Sequence, residues 1–113
     1  MNCNPGDLLF IPFPYSDLRS TKKRPVLVLT APDKHGDFIA LAVTSVPTNE
    51  HAVQIDNRVL VTGALPRASW IRLDKIFTLS QGSIIKPLGA LAPGTMQTIL
   101  DRLCHRMGHK KAT

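Results

Sequence analysis

The chain has 113 residues, of which 43% are hydrophobic; this length fits one domain, and this composition excludes a disordered protein. Fourteen Lys and Arg against eight Asp and Glu give a formal net charge of +6, which favours an anionic partner such as nucleic acid. The two cysteines, Cys3 and Cys104, are too few for a disulfide-stapled secreted fold and indicate a reducing compartment. Residues 1–9 lack the segments of a signal peptide, and no apolar run is long enough to span a bilayer. We therefore expect one cytoplasmic domain over residues 1–113, with no membrane contact.

The first half of the chain predicts three apolar strands separated by polar segments. Residues 7–12 form an apolar run that is typical of a buried strand. Residues 13–23 mix Pro, Ser, Asp, Thr and basic side chains, which predicts a loop longer than an ordinary hairpin connection. A second strand is expected over 25–29, starting at a proline, and a third, interior strand over 38–46.

The second half begins with shorter runs of strand character. Residues 51–55 alternate weakly and predict an edge strand, and 59–61 predict a further short strand before a turn at 62–63. Residues 69–73 and 76–79 are both apolar, but their spacing changes phase between them. We expect either a bulge there or the end of one strand and the start of another.

The last part of the chain has helical periodicity and predicts a helix over 93–107. Pro93 suits the first turn of a helix and Gly108 suits its end, whereas Ala92 is a poor N-cap. The helix must therefore depend on packing against the sheet. Its apolar positions are Met96, Ile99, Leu100, Leu103 and Met107. Short strands followed by one closing helix indicate a mainly β, barrel-like sheet with a helix packed on it.

The histidines do not form a convincing site. His105 and His109 lie one helical turn apart beside Cys104, which resembles zinc-ligand spacing, but the helix ends between them and further ligands are missing. His35 and His51 are conceivable as an acid–base pair, but both lie in predicted turns. Since the glycines are also scattered and form no phosphate-binding loop, we predict neither a metal site nor a cofactor.

Two stretches of the chain carry a family resemblance. The first is GDLLFIPFPYSDL at 6–18 followed by KKRPVLVL at 22–29, and the second is LPRASWIRLDKIFTL at 65–79. With Gly-Asp, Arg-Pro and Leu-Asp-Lys in this order, the chain resembles the MazF/PemK-type toxins of type II toxin–antitoxin systems, in particular their PemK-like branch. The resemblance extends from Gly6 to Met107.

The resemblance implies an SH3-like barrel (CcdB/MazF-like) with a C-terminal helix, usually assembled as a homodimer. It also implies a metal-independent endoribonuclease that cleaves single-stranded mRNA by attack of a ribose 2′-OH on the adjacent phosphodiester, which inhibits translation and growth. A cognate antitoxin protein is the implied partner, and DNA is bound only indirectly, through the toxin–antitoxin complex.

The family's key arginine precedes the proline of the second strand and matches Arg24, while its key Thr or Ser closes the third strand and matches Thr44. A guanidinium offers a fork of donors to phosphate oxygens, and a hydroxyl can donate one further bond as charge develops. Arginine is a very poor general base, however, because it does not lose its proton at ordinary pH. Stabilisation of the phosphate is therefore assigned to Arg24, and the group that transfers the proton stays open.

Other candidates surround this pair in the sequence. Basic residues of the first loop are expected to contact RNA phosphates, its aromatic residues to stack on unpaired bases, and a serine beside Thr44 to bind RNA. These residues are Arg19, Lys22, Lys23, Tyr15, Phe13 and Ser45, where Phe13 equally suits packing and only lines the site. Asp7 is expected to fix the first turn and, less directly, to line the site.

The chain departs from the MazF branch near the fifth strand, where that branch has Glu-Gln and then Arg. The aligned positions here are Asp74, Lys75 and Phe77, so a cleavage sequence cannot be transferred. Two alternative functions remain open: a gyrase-poisoning toxin of the same fold, and a non-catalytic RNA-binding barrel. The gyrase poisons act through C-terminal residues and lack the Lys22–Pro25 type of pattern.

Overall fold

Seven antiparallel strands and one C-terminal helix follow one another in the computed structural model, which describes residues 2–14 and 21–109 and the side chains of 2–12 and 23–109. Within this part of the chain, no helix is long and apolar enough to cross a membrane. In chain order the elements are β1 (Asp7–Pro14), β2 (Thr21–Val28), β3 (Asp37–Thr44), β4 (Ala52–Ile55), β5 (Leu60–Gly63), β6 (Ser69–Ser80), β7 (Lys86–Leu91) and α1 (Pro93–Arg106).

The strands form one curled sheet, in effect a half-barrel, with the order β4-β6-β3-β2-β1-β7-β5. The predicted fold class, mainly β with a closing helix, is confirmed. Strand β3 lies in the interior of the sheet and β4 at its edge, as the sequence predicts, and β2 is also an interior strand. Since β1, β2 and β3 pair in sequence order, the ends of β2 and β3 are brought side by side.

Both faces of the sheet are buried at its centre. On one face, a core that includes Leu8, Leu27 and Leu41 packs against α1. On the other face, Leu9 and Val26 belong to a second core. Burial on both faces explains why these strands read as continuous apolar runs and not as alternating ones.

The helix is confirmed, with Pro93 in its first turn and no side-chain hydrogen bond from Ala92 at its N-terminus. Its buried residues Met96, Ile99 and Leu103 belong to the same core as Leu8. Packing on the sheet therefore supplies the stability that capping does not.

Several strand boundaries differ from the sequence prediction, most of all those of β1 and β2. Strand β1 continues to Pro14 and β2 begins at Thr21, so both strands extend into the segment 13–23 that was expected to be a loop. Pro25 lies inside β2 and does not start it. It pairs with Phe10 of β1 and lies just outside the β2–β3 register, where its missing N–H breaks no pairing with β3.

The second half contains one confirmed alternative and one omission. The runs 69–73 and 76–79 belong to a single strand, β6, with a bulge, which was one of the two expectations. Leu41 of β3 pairs with Ile76, but Val43, two residues later, pairs with Ile71, so β6 contains extra residues at this point. The predicted turn at 62–63 lies within β5, and strand β7 has no counterpart among the predicted elements.

Candidate active site

Arg24 and Thr44 lie at the same end of the β2–β3 pair. The paired register ends at Val26 and Ala42, and each of the two residues lies two positions beyond it on its own strand, Thr44 as the last residue of β3. Both side chains are half-buried. The folding of two consecutive strands into a hairpin therefore brings together two residues that are twenty positions apart in the sequence.

Two cavities meet at this pair. The larger has a volume of about 610 Å³ and the smaller about 270 Å³, and both are lined by Arg24, Pro25, Val43 and Thr44. The pair thus forms a rim with a cavity on each side. A third cavity of about 540 Å³ lies between α1 and His51, and none of the predicted site residues whose side chains are described lines it.

The hydroxyl of Thr44 is oriented by the turn that follows β3. The backbone N–H of Val46 donates to Thr44 Oγ1 at 3.1 Å. Because the oxygen accepts this bond with a lone pair, its own hydrogen is left for donation to a ligand. A phosphate oxygen at the rim is a suitable acceptor for it.

The larger cavity is strongly basic. Among the described residues, its charged lining consists of Lys23, Arg24, Arg67 and Lys86 and includes no acidic side chain. The ammonium Nζ of Lys86 lies 5.8 Å from the centre of the Phe10 ring, within reach of a cation–π contact. Such a surface attracts an anionic chain with apolar or aromatic groups.

The smaller cavity gains two more cations from the bulge in β6, Arg72 and Lys75. Arg72 is held by Asp74, since its Nε and Nη2 donate to the two carboxylate oxygens at 3.3 and 3.1 Å. Burial raises the pKa of the Asp74 carboxyl, but the hydrogen bond from Arg72, a backbone hydrogen bond and the charges of Arg72 and Lys75 outweigh burial and lower this pKa overall. The Asp74 carboxylate is therefore bonded to a guanidinium that lines the smaller cavity, while Asp74 itself is not part of that lining.

The other predicted site residues are placed unequally. Lys23 and Ser45 line the larger cavity with Arg24. Phe13 and Lys22 pair with each other across β1 and β2, and their side chains lie outside the described part of the structure. Tyr15 and Arg19 lie outside the described residues altogether.

Asp7 takes the first of its two expected places, in the first turn, and does not line either cavity. It starts β1, and its Oδ2 accepts from the backbone N–H of Asn4 at 2.8 Å, so it fixes the first turn. Arg24 pairs with Ile11, and about 13 Å of extended strand separates Ile11 from Asp7 at about 3.3 Å per residue.

The sequence analysis missed several lining residues. Phe10, Arg67 and Lys86 line the larger cavity and Arg72 the smaller one. Arg67 and Arg72 fall within the second stretch of family resemblance, which could have marked them as candidates. Lys86 lies in β7, the strand that was not predicted, so no local pattern indicated it.

A model of the family described as PemK-like, MazF-like toxin of type II toxin-antitoxin system matches residues 4–107. The chain belongs to this family. A comparison of its sequence with curated proteins found no significant match. The assignment to the PemK-like toxins therefore depends on the family model and agrees with the resemblance seen in the sequence.

Solved structures confirm the MazF-like fold. An endoribonuclease in complex with its cognate antitoxin, from a mycobacterial species, is similar with a TM-score of 0.71 and 19% identity over 97% of this chain and 99% of that chain. A mycobacterial endoribonuclease gives 0.70 and 17% over 97% and 95%. The MazE-MazF structure from Deinococcus radiodurans gives 0.69 and 18% over 97% and 99%.

Proposed function

We propose that this PemK-like toxin is a metal-independent endoribonuclease that cleaves single-stranded mRNA, with Arg24 and Thr44 at its catalytic centre. The observation that supports this most is the rim between the two cavities, since Arg24 and Thr44 line both of them. An RNA chain that crosses the rim would place a phosphate there and a nucleotide in each cavity. The similarity to structures named as endoribonucleases favours the same reaction.

In this reaction a ribose 2′-OH loses its proton and its oxygen forms a bond to phosphorus, while the bond from phosphorus to the 5′-oxygen breaks. The departing 5′-oxygen takes a proton from water, and a 2′,3′-cyclic phosphate is left. The Arg24 guanidinium donates to two phosphate oxygens and balances the negative charge that develops on them. The Thr44 hydroxyl donates a hydrogen bond to a phosphate oxygen, because its oxygen is the acceptor of the bond from the Val46 N–H and its own hydrogen is available. Neither role requires a change of protonation state.

The proton of the 2′-OH needs an acceptor, and Asp74 is better suited than an arginine. Its lowered pKa keeps it ionised at neutral pH, and it is bonded to Arg72, which lines the cavity beside the rim. A carboxylate is a common general base in such a position. We assign to Asp74 the acceptance of this proton and to Arg72 the orientation of the carboxylate.

A first prediction concerns pH. In the wild type, the acid limb of kcat/KM lies below the usual range of a carboxyl group, because Arg72 helps to lower the pKa of Asp74. In Arg72→Gln this pKa rises, so the acid limb moves to higher pH. Cleavage at RNA concentrations below KM, measured from about pH 2.5 to 8, checks this, and Arg102→Gln on the exposed face of α1 is the control. An acid limb that does not move would remove Asp74 as the acceptor.

A second prediction concerns Thr44→Val, which keeps the shape of the side chain and removes its hydroxyl. Because one donor to the developing charge is lost, we expect kcat to fall about 100-fold, as for one donor of an oxyanion hole, with little change in KM. Thr78→Val, in the exposed part of β6 and outside both cavities, should cleave at the wild-type rate. Equal rates for Thr44→Val and the wild type would contradict the role of the hydroxyl.

The basic larger cavity also suits an extended acidic segment of a cognate antitoxin, which would block RNA. We further propose a cytoplasmic homodimer that contacts DNA only through the toxin–antitoxin complex.

Incubation of the purified protein with a defined single-stranded RNA in EDTA tests the central proposal. Cleavage in EDTA supports it, whereas growth arrest with stalled replication and intact RNA would replace it with gyrase poisoning.

A further inference from the structure

From the rim, the lining of the larger cavity continues across the sheet to β1 and β7, where it is formed by parts of the chain that are distant in sequence. This part of the lining consists of Lys86 and Leu88 of β7, Phe10 of β1, and the segment 64–67 between β5 and β6. We call this surface the far wall. The proposed chemistry at the rim assigns it no role.

The far wall has an apolar base. Phe10 and Leu88 are half-buried and Leu65 is buried. A flat ligand that packs against this ring and these two aliphatic side chains is removed from contact with water. Among the described residues, Phe10 is the aromatic one that lines this cavity, and Lys86 Nζ lies 5.8 Å from the centre of its ring. Unpaired bases stack on such rings, whereas phosphate and ribose gain little from apolar contact.

The polar groups of the far wall are mostly hydrogen-bond donors. The exposed Arg67 and Lys86 side chains carry N–H groups and no acceptor. Three backbone carbonyls of the wall already accept bonds: that of Leu65 from Asn57 Nδ2 at 3.3 Å, that of Arg67 from Ser69 Oγ at 3.1 Å, and that of Leu88 from Ala64 N–H at 3.1 Å. Since no carboxylate is among the described residues that line the cavity, the side chains of the far wall offer a ligand donors and no acceptor.

We infer that the far wall binds the base of a nucleotide next to the scissile phosphate and selects keto bases, uracil or guanine, over amino bases, cytosine or adenine. The base stacks on Phe10, while Lys86 and Arg67 donate to its keto oxygen. An amino group at the same position would face donors and leave its own hydrogens unpaired, which weakens binding. The volume of about 610 Å³ is in the range of ligand pockets and allows one nucleotide beside the rim. This inference rests on the proposed RNA substrate.

Binding of non-cleavable RNA tests the selection separately from catalysis. The probes are 2′-O-methyl hexamers of uridine and of cytidine, which differ at the 4-position of the base and in the proton on N3, together with an adenosine hexamer. Kd is measured by fluorescence anisotropy at one fixed salt concentration. We expect the uridine hexamer to bind about fivefold or more tightly than the other two, from the low end of the discrimination of a base-edge contact.

Variants of the far wall identify the residues responsible. Lys86→Gln and Arg67→Gln introduce an amide that also accepts hydrogen bonds, so the ratio of the uridine to the cytidine Kd should approach one. Lys34→Gln, in an exposed turn away from the cavities, removes the same charge and should keep the wild-type ratio. Phe10→Leu should weaken all hexamers by a similar factor because stacking is lost, and thermal unfolding shows whether each variant is folded.

Two results would overturn the inference. One is equal Kd values for the uridine and cytidine hexamers in the wild type. The other is an equal loss of affinity for both hexamers in Lys86→Gln and Arg67→Gln, since that identifies only a general attraction for phosphate. Sequencing of the 5′ ends of cleaved RNA shows on which side of the scissile bond the keto base lies. Keto-selective binding without any cleavage would instead overturn the proposed function and keep the far wall as a base-binding site.

Discussion

Replacement of Arg24 by alanine is expected to reduce kcat/KM for RNA cleavage by about a thousandfold or more, the largest effect on activity that we predict. The guanidinium is at the rim shared by both cavities, which Thr44 also lines, and the charge of the reacting phosphate develops there. Lys23, Arg67 and Lys86 would still attract RNA to the larger cavity. Affinity for non-cleavable RNA should therefore fall much less than the rate does.

The controls separate charge, geometry and folding. Arg24→Lys keeps the positive charge but loses the planar fork of donors, so we expect an intermediate rate. Arg102→Ala removes an exposed arginine of α1 and should leave cleavage unchanged. If Arg24→Ala, with the thermal stability of the wild type, still cleaves at the wild-type rate, the assignment of the rim as the catalytic centre is wrong.

The interior of the sheet could be predicted from the sequence, whereas one of its margins could not. The runs over 25–29 and 38–46 are apolar because both faces of β2 and β3 are buried, and this leaves a strong local signal. Strand β7 contains Pro87 and Gly89, which both disfavour a strand. It forms because β1 and β5 pair with it on its two sides, and these are long-range contacts that no window of sequence contains.

The candidate site also has one part that the sequence could predict and one that it could not. Arg24 and Thr44 were found through the family resemblance, and the hairpin of β2 and β3 then explains why they lie at the same end of this pair. The far wall depends on the pairing of β1 with β7 and on the segment after β5. No motif in the sequence distinguishes Lys86 or Arg67 from other basic residues. They line the same cavity only because the curled sheet brings their segments together.

Gly63→Ala is expected to have the largest effect on stability. Gly63 has φ +75°, which disfavours any residue with a Cβ, and an added Cβ would overlap the carbonyl oxygen of Leu88 and the Cα of Gly89. These are backbone atoms of β7 and cannot rotate away as a side chain can. We expect the free energy of unfolding to fall by about 3 kcal/mol or more, measured by urea denaturation. Gly94→Ala is the matched control, because a Cβ there meets nothing within 4 Å, and it should stabilise α1 by up to about 1 kcal/mol.

The Gly63 substitution also tests how the two sides of the larger cavity are held. The rim lies at the end of the β2–β3 hairpin, whereas the far wall depends on β7, against which Gly63 packs. At a temperature where most of the Gly63→Ala protein is still folded, displacement of β7 moves Lys86 and Leu88 but leaves Arg24 and Thr44 at the rim. We therefore expect the uridine-to-cytidine binding ratio to fall toward one while cleavage of a saturating RNA persists. If Gly63→Ala instead loses cleavage and keeps the uridine-to-cytidine ratio, the pairing of β5 with β7 supports the rim and not the far wall.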